Sequence, residues 1–247
     1  MKEGVPYEII AFGKGWELKR KMIIETERLF LREMTEEDYD ELYVILADSD
    51  IMQHYPYTFD EARVRGWINS NMERYRIFGF GLWAVCLKET GEMIGDCGLT
   101  MQQINGKIKP EIGYHMRKDQ QRKGYAKEAA IAVRDWTFRN TPFNMVYSYM
   151  KDTNEASCKT AISYGCKQVD EFEDDENEIT KVYAISREAG GKHMLEKTVR
   201  LLLTAGILLM IAGCIFGFIG QWIYAALVWV GAFGCYIAAL QDIQAGS

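Results

Sequence analysis

From Ile23 onward the apolar positions repeat with a period of about 2 or about 3.6 residues, and the switches between the two divide the chain into elements. Ile23-Ile24 and Leu29-Phe30-Leu31 predict a short first strand. Thr35, with Asp38 three residues on, predicts a helix start of the capping-box kind, and Tyr39, Leu42, Tyr43 and Leu46 follow at helical spacing. Residues 48–57 read as a loop and 59–77 as a second amphipathic helix carrying Trp67, Ile68 and Met72. Strands are predicted at 82–87 and 93–101, turned at Glu89-Thr90-Gly91, and a polar loop through Asn105-Gly106 leads to a fourth strand at 108–116. A helix over 123–139 buries Ala129, Ala130, Val133 and Trp136; a fifth strand at 143–150, a helix at 156–164 and closing strands at 166–172 and 179–186 complete the series. This order predicts an α/β (α+β) fold, a mixed, mostly antiparallel central sheet with helices on both faces. Its one central parallel pair, the fourth and fifth strands, needs the 123–139 helix as its crossover.

Beyond residue 192 the pattern changes. No charged residue occurs from Leu201 to Gln241. One straight helix of that length would reach about 60 Å, twice the roughly 30 Å hydrocarbon core of a bilayer, so the segment must turn. Gly220-Gln221 is the corner, which predicts a transmembrane helical hairpin with spans at 201–219 and 222–240 and a tail at 241–247. Trp222 and Tyr224 sit where an interfacial belt would place them, and Gly213 and Gly217 form a small-residue face suited to homo-oligomer packing. Lys192, Lys197 and Arg200 make 189–200 a basic linker; the positive-inside rule then puts both ends in the cytoplasm and makes the lipid bilayer a partner. Residues 1–21 are an N-terminal extension of unknown role, with too short an apolar run for a signal peptide. The domain between them runs over 22–188.

A net charge of −6 argues against nucleic acid as a main partner. Six cysteines occur without any C-x-x-C pairing, and no histidine stands at metal-ligand spacing, so reduced thiols and no structural metal are expected. No G-x-x-x-x-G-K-[ST] is present, and Gly79-Phe80-Gly81 precedes a strand instead of following one.

The stretch that carries chemistry is EIGYHMRKDQQRKGYAKEAA, residues 111–130, an apolar strand, a charged turn and a helix. A turn feeding a helix N-terminus presents unpartnered N–H groups and the positive end of the helix dipole, a site for a phosphate. Gly124 permits close approach, and Arg122, Lys123 and Lys127 add positive charge. The string Gln121-Arg122-Lys123-Gly124-Tyr125-Ala126 resembles the Q/R-x-x-G-x-G/A signature of the GNAT N-acetyltransferases. The likeness extends over roughly residues 22–187. IIETERLFLREMTEEDYDEL resembles the opening of the RimJ/RimL-like branch, EIGYHM its fourth strand, and Asn154-Glu155-Ala156-Ser157 with Tyr164-Gly165-Cys166 its N-x-x-S…x-G-F segment.

The resemblance implies an acetyl-CoA-dependent transfer of acetyl to a primary amine, on a protein N-terminus or a small molecule, directly in a ternary complex and without metal. It implies that residues 121–127 hold the pyrophosphate, Asn154 the pantetheine side, and Tyr114, His115 and Met116 the pantetheine arm through their backbone, the imidazole of His115 having no catalytic part. Glu111 occupies the position of a carboxylate base acting through water. The tyrosine that many members place seven residues after the asparagine is here Ala161, which leaves Ser157 or Tyr149 to assist the leaving thiolate. His54, Tyr55 and Tyr57 read either as packing or, by resemblance, as the acceptor side. The acidic run from Asp170 to Glu178 reads either as a solvated loop or as a lure for a cationic acceptor. The missing tyrosine also keeps open a membrane-anchored acetyl-CoA sensor or scaffold with little turnover.

Overall fold

Side chains on the third strand, β3 (Leu82–Leu87), show how the core is divided. Leu82, Ala84 and Cys86 point into one apolar cluster, Trp83 and Val85 into another, as the alternation of a strand buried on both faces requires. The structure is a computed structural model that describes residues 22–57, 59–174, 178–189, 202–208 and 211.

Eight strands of the described residues form one sheet. Its first pair, β1 (Met22–Glu25) and β2 (Leu29–Arg32), is a hairpin where the apolar pattern predicts a single strand. Thr26 makes the turn: its N–H donates to Leu29 O at 2.9 Å, and its hydroxyl oxygen accepts from Leu29 N at 2.9 Å. The helix predicted at Thr35 begins instead as a 3-10 turn, Glu36–Asp38, before α1 (Tyr39–Leu46). Asp38 is buried because its carboxylate takes the Thr35 N–H at 2.8 Å and both terminal nitrogens of Arg32, at 2.7 and 2.8 Å. Helix α2 (Glu61–Phe78) opens on Asp60, whose Oδ1 accepts from Arg63 N, and closes at Gly79 with φ +76°.

Strands β4 (Met93–Ile104) and β5 (Lys107–Met116) form a long antiparallel hairpin turned at Asn105-Gly106, both with positive φ, so the expected polar loop is a tight turn. Helix α3 (Tyr125–Asn140) crosses to β6 (Met145–Lys151), which pairs parallel with β5 at Glu111↔Tyr147. Then follow α4 (Glu155–Ser163), β7 (Lys167–Glu173) and β8 (Ile179–Ser186), and the strand order is β1-β2-β3-β4-β5-β6-β8-β7. Helices α1 and α2 cover one face of the sheet through Leu42, Ile45, Val64 and Ile68; α3 and α4 cover the other through Ala129, Ala130, Val133 and Ala161.

Asn154 caps α4, its Oδ1 accepting from Ser157 N at 3.1 Å. Replacing it with alanine is expected to cost about 1 kcal/mol, read as a fall of about 2–4 °C in thermal midpoint.

The chain divides into two compact units at Ile185/Ser186. In the second, residues 202–208 are helical. No helix among the described residues is long and apolar enough to cross a membrane. The second predicted span, the Gly213/Gly217 face, the extension 1–21 and most of the first span lie outside the described residues.

Candidate functional site

Strand β5 places different residues on its two faces and different amides on its two edges. Arg117 N donates to Ile94 O at 2.9 Å and His115 N to Asp96 Oδ1 at 3.0 Å, so odd-numbered amides of this stretch face β4. The amides of Ile112, Tyr114 and Met116 therefore face β6. There the parallel register holds at Glu111↔Tyr147. Beyond it, Ser148 Oγ donates to Ile112 O at 2.6 Å and Gln121 Nε2 to Met116 O at 3.1 Å, side chains standing where a ladder bond would be. Tyr114 and the Met116 N–H are left on the open edge.

At the end of that edge the chain turns into α3. Helices α2 and α4 open on capping side chains, whereas α3 opens on Gly124, at φ +85° and with no side-chain cap. Its first amides, at Tyr125, Ala126 and Lys127, thus lack intrahelical acceptors. Arg122 beside it also has positive φ, +60°. A Cβ built on Gly124 would meet only the Arg28 guanidinium, at 3.4 Å. Arg28 braces the turn. It donates to Lys123 O at 3.0 Å, pairs with Glu128 at 2.6 Å and lies over the Tyr125 ring at 4.5 Å. Lys123 Nζ reaches Gln120 Oε1 at 3.0 Å, while Arg122 and Lys127 are exposed. An uncapped helix end, a glycine and free basic side chains fit a pyrophosphate.

On the α1–α2 face of β5 stand Glu111, Gly113 and His115. The Glu111 carboxylate folds along the strand over Gly113, where a Cβ would meet its two oxygens at 3.1 and 3.2 Å. It accepts one hydrogen bond from Thr100 Oγ1, at 2.9 Å across the β4–β5 pair. Burial pushes its pKa up to about 7, with Asp96 adding to the rise and Thr100, His115 and Arg74 opposing it. Tyr149, on the same face of β6, is pushed up to about 12 by burial and by the Glu111 charge.

Ser157 lies on the other face. Its carbonyl accepts from Tyr114 Oη at 3.1 Å, and its N–H is held by Asn154. The three catalytic candidates therefore divide, Glu111 and Tyr149 toward α1–α2 and Ser157 toward α3–α4. Ala161 is fully buried in the core on that side, so the position of the family's tyrosine faces packing.

His115 departs from the sequence reading. Its N–H is committed to Asp96, so it has no amide to offer on the open edge, and its ring is engaged on the α1–α2 face. Nδ1 lies 2.8 Å from Asp96 Oδ1 and Nε2 2.9 Å from Tyr55 Oη. Asp96 Oδ2 accepts from Trp67 Nε1 at 3.0 Å. Asp96, Thr100 and Arg28 are not singled out by the sequence, and Trp67 is read there only as part of an amphipathic helix. The available signal was an aspartate inside the apolar run Met93–Leu99, which only the β4–β5 register connects to His115.

Among the described residues no group of three or more His, Cys, Asp or Glu is placed to hold a metal ion, and no disulfide joins Cys86, Cys97, Cys158 or Cys166.

The Acetyltransferase (GNAT) domain family matches residues 28–167. The chain belongs to the GNAT acetyltransferase family. As a GNAT N-acetyltransferase it is 34% identical over 149 residues to the uncharacterized protein YkkB of Bacillus subtilis, covering 60% of this chain and 87% of that one. It is 32% identical over 138 residues to the uncharacterized N-acetyltransferase p20 of Bacillus licheniformis, 54% of this chain and 76% of that one. Among solved structures, a GNAT acetyltransferase from Bacillus anthracis superposes with TM-score 0.59 at 24% identity, covering 68% of this chain and 99% of that one. The ribosomal L7/L12 alpha-N-protein acetyltransferase RimL in complex with coenzyme A superposes with TM-score 0.57 at 18% identity, 67% of this chain and 98% of that one. At these identities the two structures attest the GNAT fold. This GNAT domain carries the resemblance over the strands, turn and helix described above.

Proposed function

We propose that the chain moves an acetyl group from acetyl-CoA to a primary amine, donor and acceptor bound together, with Glu111 as general base. The observation that carries this reading is the placement of Glu111: a half-buried carboxylate with a pKa near 7, beside an open strand edge that runs into an uncapped helix N-terminus. Acetyl-CoA supplies an activated thioester. The amides of Tyr125, Ala126 and Lys127, with Arg122, hold its diphosphate; Tyr114 holds the pantetheine arm; the Met116 N–H meets the thioester oxygen as it gains negative charge. An alkyl ammonium keeps its proton to about pH 10 in water, so a base poised near neutrality is what the acceptor needs. The acceptor enters from the α1–α2 side, past Tyr55 and Tyr57, where Tyr149 also stands.

Three observations deal with the leaving group. Ala161 offers no acid, Ser157 presents its backbone to Tyr114, and a thiol with a pKa near 8.5 departs tolerably as thiolate. The direct test is thiol release from acetyl-CoA with a panel of amines: a peptide with a free N-terminus, a diamine and an aryl-alkyl amine. Turnover on any of them supports the reading; binding of acetyl-CoA without turnover on all of them would overturn it.

We also propose that residues 201–240 tether the domain to a membrane as a two-span hairpin, with the catalytic unit on the cytoplasmic side. The support is the uncharged run of two spans' length and the basic residues that precede it. Full-length chain in a membrane fraction is expected to stay in the pellet after an alkaline carbonate wash. Its release into the supernatant would remove the tether.

A further inference from the structure

Resting on the reading above, we propose that Tyr55, His115 and Asp96 form a second proton-accepting path for the acceptor amine, separate from Glu111. The inner end of the path is fixed. Asp96 is fully buried and accepts three hydrogen bonds, from the N–H and Nδ1 of His115 and from the indole of Trp67. A carboxylate facing Nδ1 puts the ring proton there and leaves Nε2 as an acceptor, which assigns Tyr55 Oη as the donor of the 2.9 Å bond. The ring is walled by Trp67 at 5.6 Å and Tyr55 at 5.7 Å, with Phe59 against both. At the outer end Tyr55 is 36% exposed as a residue, while burial first and the Glu111 charge second push its phenol pKa upward.

The chemistry requires two acceptors. An ammonium must lose one proton to become a nucleophile and a second once the C–N bond has formed. One carboxylate holds only one of them. In the proposed sequence Glu111 takes the first proton. The amine nitrogen then bonds to the acyl carbon, the C–S bond breaks and its electron pair leaves on sulfur. The second N–H proton passes to Tyr55 Oη as the phenol proton passes to His115 Nε2, giving an imidazolium paired with Asp96. One of the two protons ends on the departing sulfur and the other goes to solvent.

The electrostatics agree. Burial would lower the His115 pKa, but the Asp96 charge and hydrogen bond outweigh it, with Glu111 adding, and the net direction is upward. The groups facing this ring and its phenol are Asp96 on β4, Glu111 on β5, Tyr149 on β6, Trp67 on α2 and Tyr57 on the loop. Arg74 of α2 acts on Glu111.

The test uses the full chain, acetyl-CoA and whichever amine of the panel turns over, with log kcat followed against pH. With two groups needing deprotonation, wild type should rise with a slope near two below neutrality. His115→Gln and Tyr55→Phe should each reduce that slope to one and lower kcat at neutral pH by about 10- to 100-fold, with KM for acetyl-CoA unchanged. A purely structural role would not alter the slope. Unchanged slopes and rates in both variants would overturn the path. The chain has 3 histidines, so nitrogen NMR of labelled wild type gives a readout that needs no variant. One ring should carry its proton on Nδ1, titrate above free imidazole, and titrate lower in Asp96→Asn; the absence of any ring protonated on Nδ1, or such a ring titrating below free imidazole, would overturn the path. Loss of rate in these variants with none in Glu111→Gln would sink the base assignment instead, and no turnover of any amine by wild type would remove both.

Discussion

Glu111→Gln is expected to lower kcat by about 10²- to 10³-fold while leaving the dissociation constant for acetyl-CoA unchanged. The two halves of that result come from the two ends of β5. Glu111 stands on the α1–α2 face, where the proposed acceptor route runs, whereas the proposed phosphate site is at Gly124, past the end of the strand. Glutamine keeps the Thr100 contact and the shape over Gly113 but accepts no proton. In wild type, kcat should rise through an ionisation near pH 7, where burial holds this carboxylate. That ionisation should be missing from the variant's profile. Thiol release from about pH 5.5 to about 9, with calorimetry of acetyl-CoA binding beside it, decides the matter. Full activity with an unshifted profile would remove Glu111 from the chemistry.

The same substitution makes a stability prediction of opposite sign. A carboxylate raised from 4.5 to about 7 favours the fold in its protonated form. Its contribution is complete below the unfolded value and is lost as pH rises through the folded one. Wild type therefore carries a penalty at pH 8 that glutamine does not, bounded above by about 3 kcal/mol and nearer 1–2 with partial exposure. The variant's thermal midpoint should exceed wild type's at pH 8, with the difference shrinking toward pH 5. An active-site group that weakens the fold in its working state is what a tuned base would show.

Much of the frame was readable because strand and helix periods leave different marks on the sequence. β3, alternating between two apolar cores, and α3, with Ala129, Ala130 and Val133 at helical spacing, are local patterns that need no tertiary information. The β1–β2 hairpin was not readable, because Thr26 closes a turn with its own side chain inside what scans as one strand. Of the candidate site, the glycine turn into α3 at Gly124 was legible, since it is a contiguous string. The α1–α2 face of β5 was legible only in part, through Tyr55. Asp96, Trp67, Tyr55 and His115 come from four segments and meet only through the β4–β5 register and the packing of α2 on the sheet. An isolated histidine in EIGYHM carries no sign that an aspartate of the neighbouring strand holds both its amide and its ring. Strand alternation decides which edge the His115 amide faces, and that parity depends on the neighbouring strand.

Gly124→Val is expected to weaken acetyl-CoA binding about 30- to 100-fold, some 2 to 2.7 kcal/mol, with the protein still folded. Two effects act together. A left-handed backbone at φ +85° is costly for any L side chain and more so for a β-branched one, by about 1–2 kcal/mol. A valine there would hold the turn in another conformation or strain it, and either way would move the amides of Tyr125 and Ala126 relative to one another. Its Cβ would also stand 3.4 Å from the Arg28 guanidinium, so the branched methyls crowd the brace that Arg28, in the β1–β2 turn, makes to Lys123 and Glu128. Arg122 already takes φ +60° next door, so the turn places two of three successive residues in the left-handed region and has little slack for a third constraint. Calorimetry with acetyl-CoA and with desulfo-CoA separates the outcomes. Equal loss for both ligands locates the defect at the phosphates, as expected, whereas unaltered binding would mean that the diphosphate is held elsewhere and the donor site described here is misplaced.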